Sequence, residues 1–230
     1  MKNLLTLFTM ILVGTLIMMS CDTTNSGTNE NASVQLQMLV NTGNIMPKQI
    51  ENSGQLEGIV IEEVKLFIEE MELESIQNDS LDFEIENFIV NLPLDGSPLF
   101  LTEQDIPAGI YDEFELEIEK PDDIDVQVND PDFRDETGSY SVVVKGLFND
   151  EEFRFRSTED FEIDIDINPP FEIGEGENSV MVISVDVSSW FKGSNGEDLD
   201  PKDPMNTEQI NNNIETSFEV FKNQFEDDDD

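Results

Sequence analysis

The chain has 230 residues, and its 11 lysines and arginines face 53 aspartates and glutamates, a formal net charge of −42. A surface of that sign repels nucleic acid and anionic membrane surfaces, and it attracts divalent cations and basic proteins. Histidine is absent, which removes Ser-His and Cys-His catalysis and the commonest ligand for zinc or copper.

The first residues read MKNLLTLFTMILVGTLIMMSC. Lys2 makes a short positive start, and Leu4 to Met19 is an uncharged, mostly apolar run. That run has signal-peptide length and is short of the ~20 residues that span a bilayer. Small Ser20 precedes Cys21, the only cysteine of the chain. The pattern resembles the bacterial lipoprotein signal, although Met18 stands where that signal prefers leucine. The resemblance implies cleavage after residue 20 and acylation of Cys21, including palmitate. The protein would then meet the membrane through its N-terminal lipid. Once Cys21 is acylated no thiol remains for a disulfide, so the fold must rest on packing.

Residues 21–33 follow as the acylated cysteine and a polar tether, DTTNSGTNENAS after Cys21. Residues 34–191 read as strands. Val34, Leu36 and Met38 alternate, and so do Val64, Leu66 and Ile68. Met71 and Leu73 continue on the opposite parity, which predicts a bulge near Glu69 and Glu70. Phe83 and Ile85, then Phe88, Val90 and Leu92, make the same change. Leu99 to Leu101 reads as a short strand. After the turn Ile106-Pro107-Ala108-Gly109, Phe114, Leu116 and Ile118 point inward and Glu113, Glu115, Glu117 and Glu119 outward.

The acidic stretch 121–138 reads as a loop. Val142 and Val144, Phe153 and Phe155, and Phe161 to Ile167 continue the strands, the last ended by Pro169-Pro170. Val180 to Val187 is β-branched enough to be buried on both faces, and Trp190-Phe191 closes it. Residues 192–230 hold an acidic loop, a helix and an aspartate tail. Ile210, Ile214, Phe218, Phe221 and Phe225 fall on one helical face, which predicts a helix from Thr207 to Phe225 capped by Asn206 or Thr207. The fold class is mainly β, an antiparallel β-sandwich with one C-terminal helix.

Residues 88–119 carry Ile106-Pro107-Ala108-Gly109, Tyr111, Phe114 and Leu116 in a turn-and-strand pattern. This stretch, with the upstream IVIEEVKLFI at 59–68, resembles an uncharacterised family of bacterial lipoprotein domains. The likeness extends over residues 34–120. It implies an immunoglobulin- or transthyretin-like sandwich at the cell surface and brings no catalytic residues.

Three sets of residues could carry chemistry. Glu162, Asp164 and Asp166 form an outward comb, but carboxylates two apart on a strand lie about 7 Å apart, too far to share one calcium ion unaided. That comb reads most simply as a solvated face. Loop acids are the better metal candidates: Asp122, Asp123, Asp130 and Asp132 in one loop, and Asp198, Asp200 and Asp203 in another. Calcium, with its six to eight oxygen ligands, is the one cofactor they would take. Neither loop has EF-hand spacing. Trp190 and Phe191 are the candidate partner-binding residues, against the alternative that they plug one end of the sandwich. The expectation is a non-catalytic, lipid-anchored envelope module that binds a protein or glycan. It would sit in the outer membrane of a Gram-negative bacterium, periplasmic or surface-exposed. A calcium-dependent adhesion module and a purely structural lipoprotein are the alternatives.

Overall fold

A computed structural model describes residues 32–43, 48–49, 56–121 and 130–223. Cys21, its leader, most of the tether, Asp122, Asp123, Phe225 and the aspartate tail lie outside these residues. The strands run in order β1 (Ala32–Asn41), β2 (Lys48–Gln49), β3 (Leu56–Glu57), β4 (Ile59–Ser75), β5 (Phe83–Asn91), β6 (Leu99–Ile106) and β7 (Gly109–Ile118). They continue as β8 (Arg134–Asp135), β9 (Gly138–Ser139), β10 (Val142–Phe148), β11 (Glu151–Ser157), β12 (Phe161–Ile173) and β13 (Asn178–Asp186). Helix α1 (Thr207–Glu215) and strand β14 (Phe218–Asn223) complete the fold.

Two sheets face each other. One is four-stranded, in the order β14-β13-β1-β6. The other is six-stranded, β11-β10-β4-β7-β12, with β5 paired to β4. The protein is thus a mainly β, two-sheet sandwich with one helix near its C-terminus. Pairing is antiparallel except between β1 and β13, which run parallel.

The inward rows follow the alternation in the sequence. Val34, Leu36 and Met38 of β1 and Met181, Ile183 and Val185 of β13 meet Val64, Leu66, Ile68, Met71 and Leu73 of β4 in one core. The parity change in β4 is real. Ile68 pairs with Phe88 and Glu70 with Glu86, and the ladder is interrupted between them at Glu69 and Asn87, the latter with a φ of 56°. Both strands turn their side chains over at the same place, so apolar residues stay inward on either side of it. A smaller cluster of Phe67, Phe133, Tyr140 and Val143 lies apart from the main core.

The turn at 106–109 has a clasp. The buried Tyr111 donates its hydroxyl hydrogen to the Pro107 carbonyl at 2.7 Å. Burial first, and Asp82 second, push that phenol above its usual pKa.

Three expectations change. The short strand at Leu99–Leu101 extends to Ile106, paired along β1 past a bulge at Leu36/Gln37. Pro169-Pro170 does not end β12. The prolines sit exposed in an irregular stretch between Asp166 and Phe171, and pairing to β7 resumes at Phe171. β12 is the outer strand of its sheet, where a missing N–H leaves no ladder partner unsatisfied.

The predicted helix from Thr207 to Phe225 stops at Glu215, and Phe218 and Phe221 belong to β14. Ile210 and Ile214 are buried as a helical face requires. Thr216 then donates its hydroxyl to the Asn212 carbonyl and Ser217 to the Ile214 carbonyl, which closes the helix end. Beyond it the aromatic and β-branched residues pair along β13, whose edge groups would otherwise be unsatisfied. Asn206 is the N-cap but makes no side-chain cap bond. Asp203 instead caps the preceding 3-10 turn.

Gly146 of β10 crosses β4 where the register shifts. A Cβ there would lie 1.9 Å from the Val60 carbonyl oxygen. Gly146→Ala should therefore destabilise the fold by about 3 kcal/mol or more, read from the urea midpoint at unchanged m-value.

Candidate functional site: carboxylate rows on one sheet face

The outward combs of β5, β4, β7 and β12 fall into phase. Glu84, Glu72, Glu115 and Asp164 lie side by side across the four strands. Glu86, Glu70, Glu117 and Glu162 form the next row, and Glu74, Glu113 and Asp166 a third. Neighbouring strands are about 4.8 Å apart, so each carboxylate stands against another of the same sign. Carboxylate oxygens of Glu70, Glu84 and Glu86 come within 4.8 Å of one another, as do those of Glu72, Glu74 and Glu115. These two trios could hold a hard cation.

The electrostatics follow from that register. Burial first, then Glu74, Asp82, Glu70 and Glu84, push Glu72 up to about 7. Burial and neighbouring acids also raise Glu74, Glu115 and Glu117. A hydrogen bond with Glu86 raises Glu84. At the end of β7, burial and a hydrogen bond with Glu69 bring Glu119 to about 7.

The cations gather elsewhere on the same sheet. Lys65 of β4 reaches Asp130 at 2.7 Å and Asp132 and Glu63 at 2.9 Å. Lys145 of β10 reaches Asp132 at 2.5 Å and Glu63 at 3.1 Å, and Arg154 of β11 approaches Asp132 at 3.5 Å. Burial pulls the Lys65 ammonium down, but Asp130, Asp132 and Glu63 outweigh it and the net shift is upward. Burial likewise pushes Asp132 up, and Lys145 and Lys65 outweigh it, so that carboxyl sits below its usual range. The face is polarised: neutralised ion pairs at the β11-β10 side, carboxylate rows at the β7-β12 side.

The loop acids singled out from the sequence are not brought together. Asp198 pairs with Lys192. Asp200 accepts the Lys202 N–H at 2.9 Å, and Asp203 accepts the Met205 N–H at 2.9 Å. Each closes its own turn, and none belongs to a convergent acidic trio among the described residues. Asp130 and Asp132 hold lysines. Trp190 and Phe191 are 0% and 1% exposed, so neither ring is open to a partner. The Trp190 indole donates to Ser217 Oγ at 2.8 Å, and Phe191 packs edge-on against Phe153 and Phe155 with centroids 5.7 Å apart. Both rings are part of the main core.

The comb Glu162, Asp164 and Asp166 is exposed as expected. Its importance lies across the strands, where spacing along one strand gives no view. The signal in the sequence was the repetition of Glu-x-Glu combs at 70–74, 84–86 and 113–119.

Among the described residues no helix is long and apolar enough to cross a membrane. Compared with family models, curated proteins and solved structures, the chain matches none.

Two predictions follow from the charges. Carboxyls raised by folding hold protons that the unfolded chain releases from its ordinary value of 4.5 up to about 7. Stability should therefore rise as pH falls from about 7.5 to 5, and Glu72→Gln should flatten that slope in a series of thermal melts. The depressed acids of the Lys65 network act in the opposite sense and lose their contribution below the ordinary carboxyl range. Asp132→Asn, which leaves Lys65, Lys145 and Arg154 short of their shared acceptor, should cost about 3 kcal/mol in denaturant unfolding at pH 7.

Proposed function

We propose that this protein is a non-catalytic module of the cell envelope, anchored through acylated Cys21, whose carboxylate face receives a partner protein with a basic surface. The observation that carries the reading is the set of in-phase rows: like charges directly opposite one another weaken a sheet, and a cationic partner would remove that repulsion on binding. The burial of Trp190 and Phe191 favours a protein over a glycan, since neither ring is open to stack on a sugar. The resemblance of residues 34–120 to bacterial lipoprotein domains supports the location, an outer membrane with the domain on its periplasmic or outer side. An immunoglobulin- or transthyretin-like form of the sandwich belongs to the same proposal.

An oligolysine peptide is the simplest probe of the face. Replacing Glu70, Glu72, Glu115 and Glu117 with glutamine should weaken its binding about tenfold. Neutralising the exposed acids Glu136, Glu152, Glu159 and Glu175 should change it much less, and equal losses in both variants would leave only diffuse charge attraction. Cys21→Ser should abolish palmitate labelling and move the protein out of the membrane fraction. Retention with the label gone would contradict the lipid anchor.

A second reading has its own observation in the two carboxylate trios. If calcium is the natural occupant, millimolar calcium raises the melting temperature by several degrees above sodium of equal ionic strength. An equal response to both salts excludes it and leaves the basic partner.

A further inference from the structure

Helix α1 has two faces. Ile210 and Ile214 turn one of them into the core. Glu208, Asn211, Asn212 and Glu215, spaced i, i+3, i+4 and i+7, share the other. That second face lines a cavity of about 420 Å³, together with Pro204 and with Glu159 and Phe161 around the start of β12. The volume is in the range of small-molecule sites. Glu159, Glu208 and Glu215 are exposed at its rim and have no ion pair among the described residues. Asp160, also at the rim, is held by Lys120.

The run Asn211-Asn212-Asn213 sits inside the helix, where asparagine is a poor choice because its amide competes with the backbone for hydrogen bonds. Asn213 has a role in the fold. Its Nδ2 donates to the carbonyls of Ser189, Trp190 and Lys192 at 3.1, 3.0 and 2.9 Å, which ties α1 to the turn after β13. Asn211 has no such role. It is 7% exposed, it lines the cavity, and its Oδ1 is buried with no hydrogen-bond partner. No other side-chain oxygen or nitrogen among the described residues is left this way. A buried acceptor without a donor is rare in a native fold and needs a reason.

We propose that this cavity binds a small organic cation with N–H donors, an alkylammonium or alkylguanidinium, whose N–H donates to Asn211 Oδ1 while Glu208 and Glu215 meet its charge. The Asn211 oxygen has no bond to lose, and the terminal torsion of asparagine is broad, so the amide is free to turn toward a donor in the cavity. Phe161 and Pro204 give a hydrocarbon stem apolar contact. No lysine or arginine lines the cavity, which disfavours an anion. A calcium ion fits poorly too. Glu208 and Glu215 stand about 10 Å apart along the helix axis, and neither convergent carboxylate trio includes a residue of this cavity, so the six to eight oxygens that calcium takes do not converge here. The site shares no residue with the carboxylate rows and does not rest on the function proposed for them.

The test titrates 1-aminobutane into the full chain in a nonionic detergent, with salt at about 0.3 M to screen diffuse attraction. Backbone amide resonances of α1 report the binding by NMR. They should shift saturably. Butyltrimethylammonium, which keeps the charge and stem but has no N–H, should bind about tenfold more weakly. Asn211→Leu removes an oxygen that makes no bond in the fold. It should weaken 1-aminobutane about tenfold and leave the melting temperature no lower. Glu208→Gln with Glu215→Gln, both exposed in the parent, should weaken it as much with the fold intact. Replacing Glu70, Glu72, Glu115 and Glu117 with glutamine should leave it unchanged, so failure of this site and failure of the carboxylate face are read separately. N-acetyl-lysine methylamide separates two sources of the same chemistry. Binding equal to that of 1-aminobutane supports a partner's side chain as the occupant, and much weaker binding supports a free amine. No saturable shift in α1, equal affinity for 1-aminobutane and butyltrimethylammonium, or unchanged affinity in the glutamine pair overturns the proposal.

Discussion

Leu73 and Phe114 oppose each other on the inside of the β4-β7 pair, next to Glu74 and Glu113, which oppose each other on the outside. That two-sidedness is the constraint from which the rest follows. The inner rows Ile85-Met71-Leu116-Ile163 and Phe83-Leu73-Phe114-Ile165 back the outer carboxylate rows position by position. Full burial of one large apolar side chain stabilises by ~1.5–3 kcal/mol, and a like-charge pair across strands costs ~0.2–1 kcal/mol. The inner rows therefore dominate. Because side-chain direction has a period of two, the register that unites the core also aligns the acids.

The same register divides the surface. At the β11-β10 side of the six-stranded sheet, Lys65, Lys145 and Arg154 neutralise Glu63, Asp130 and Asp132. At the β7-β12 side the acids have one another. On the opposite sheet Phe100 and Phe221 are exposed, with the buried Val182 in the row between them.

Much of the fold was legible from alternation alone. The inward positions of β1, β4, β7 and β13 and the parity change at Glu69 could be read because a half-buried strand writes its burial into every second residue. The tail was misread because Ile210, Ile214, Phe218 and Phe221 satisfy a helical period by coincidence of spacing. Phe218 and Val220 in fact turn toward the core from a strand, a choice made by the open edge of β13, which lies far away in sequence. Pro169-Pro170 was misread for a related reason: whether proline ends a strand depends on whether that strand has a neighbour. The candidate site was half visible. Each Glu-x-Glu comb is plain in the sequence, yet Glu72 meets Glu115 and Glu84 only through pairings 43 and 12 residues away along the chain, and no local pattern states a register.

Electrical coupling between the carboxylate rows in the folded protein is what would make this face call for a cationic partner. Side-chain carboxyl resonances titrated by NMR at low salt measure this directly. Glu72 and Glu119 should titrate close to neutral pH, and added salt should move their midpoints downward as their neighbours are screened. If every glutamate on the face instead titrates independently in the ordinary carboxyl range, the rows are a solvated surface, and the claim that they call for a cationic partner fails.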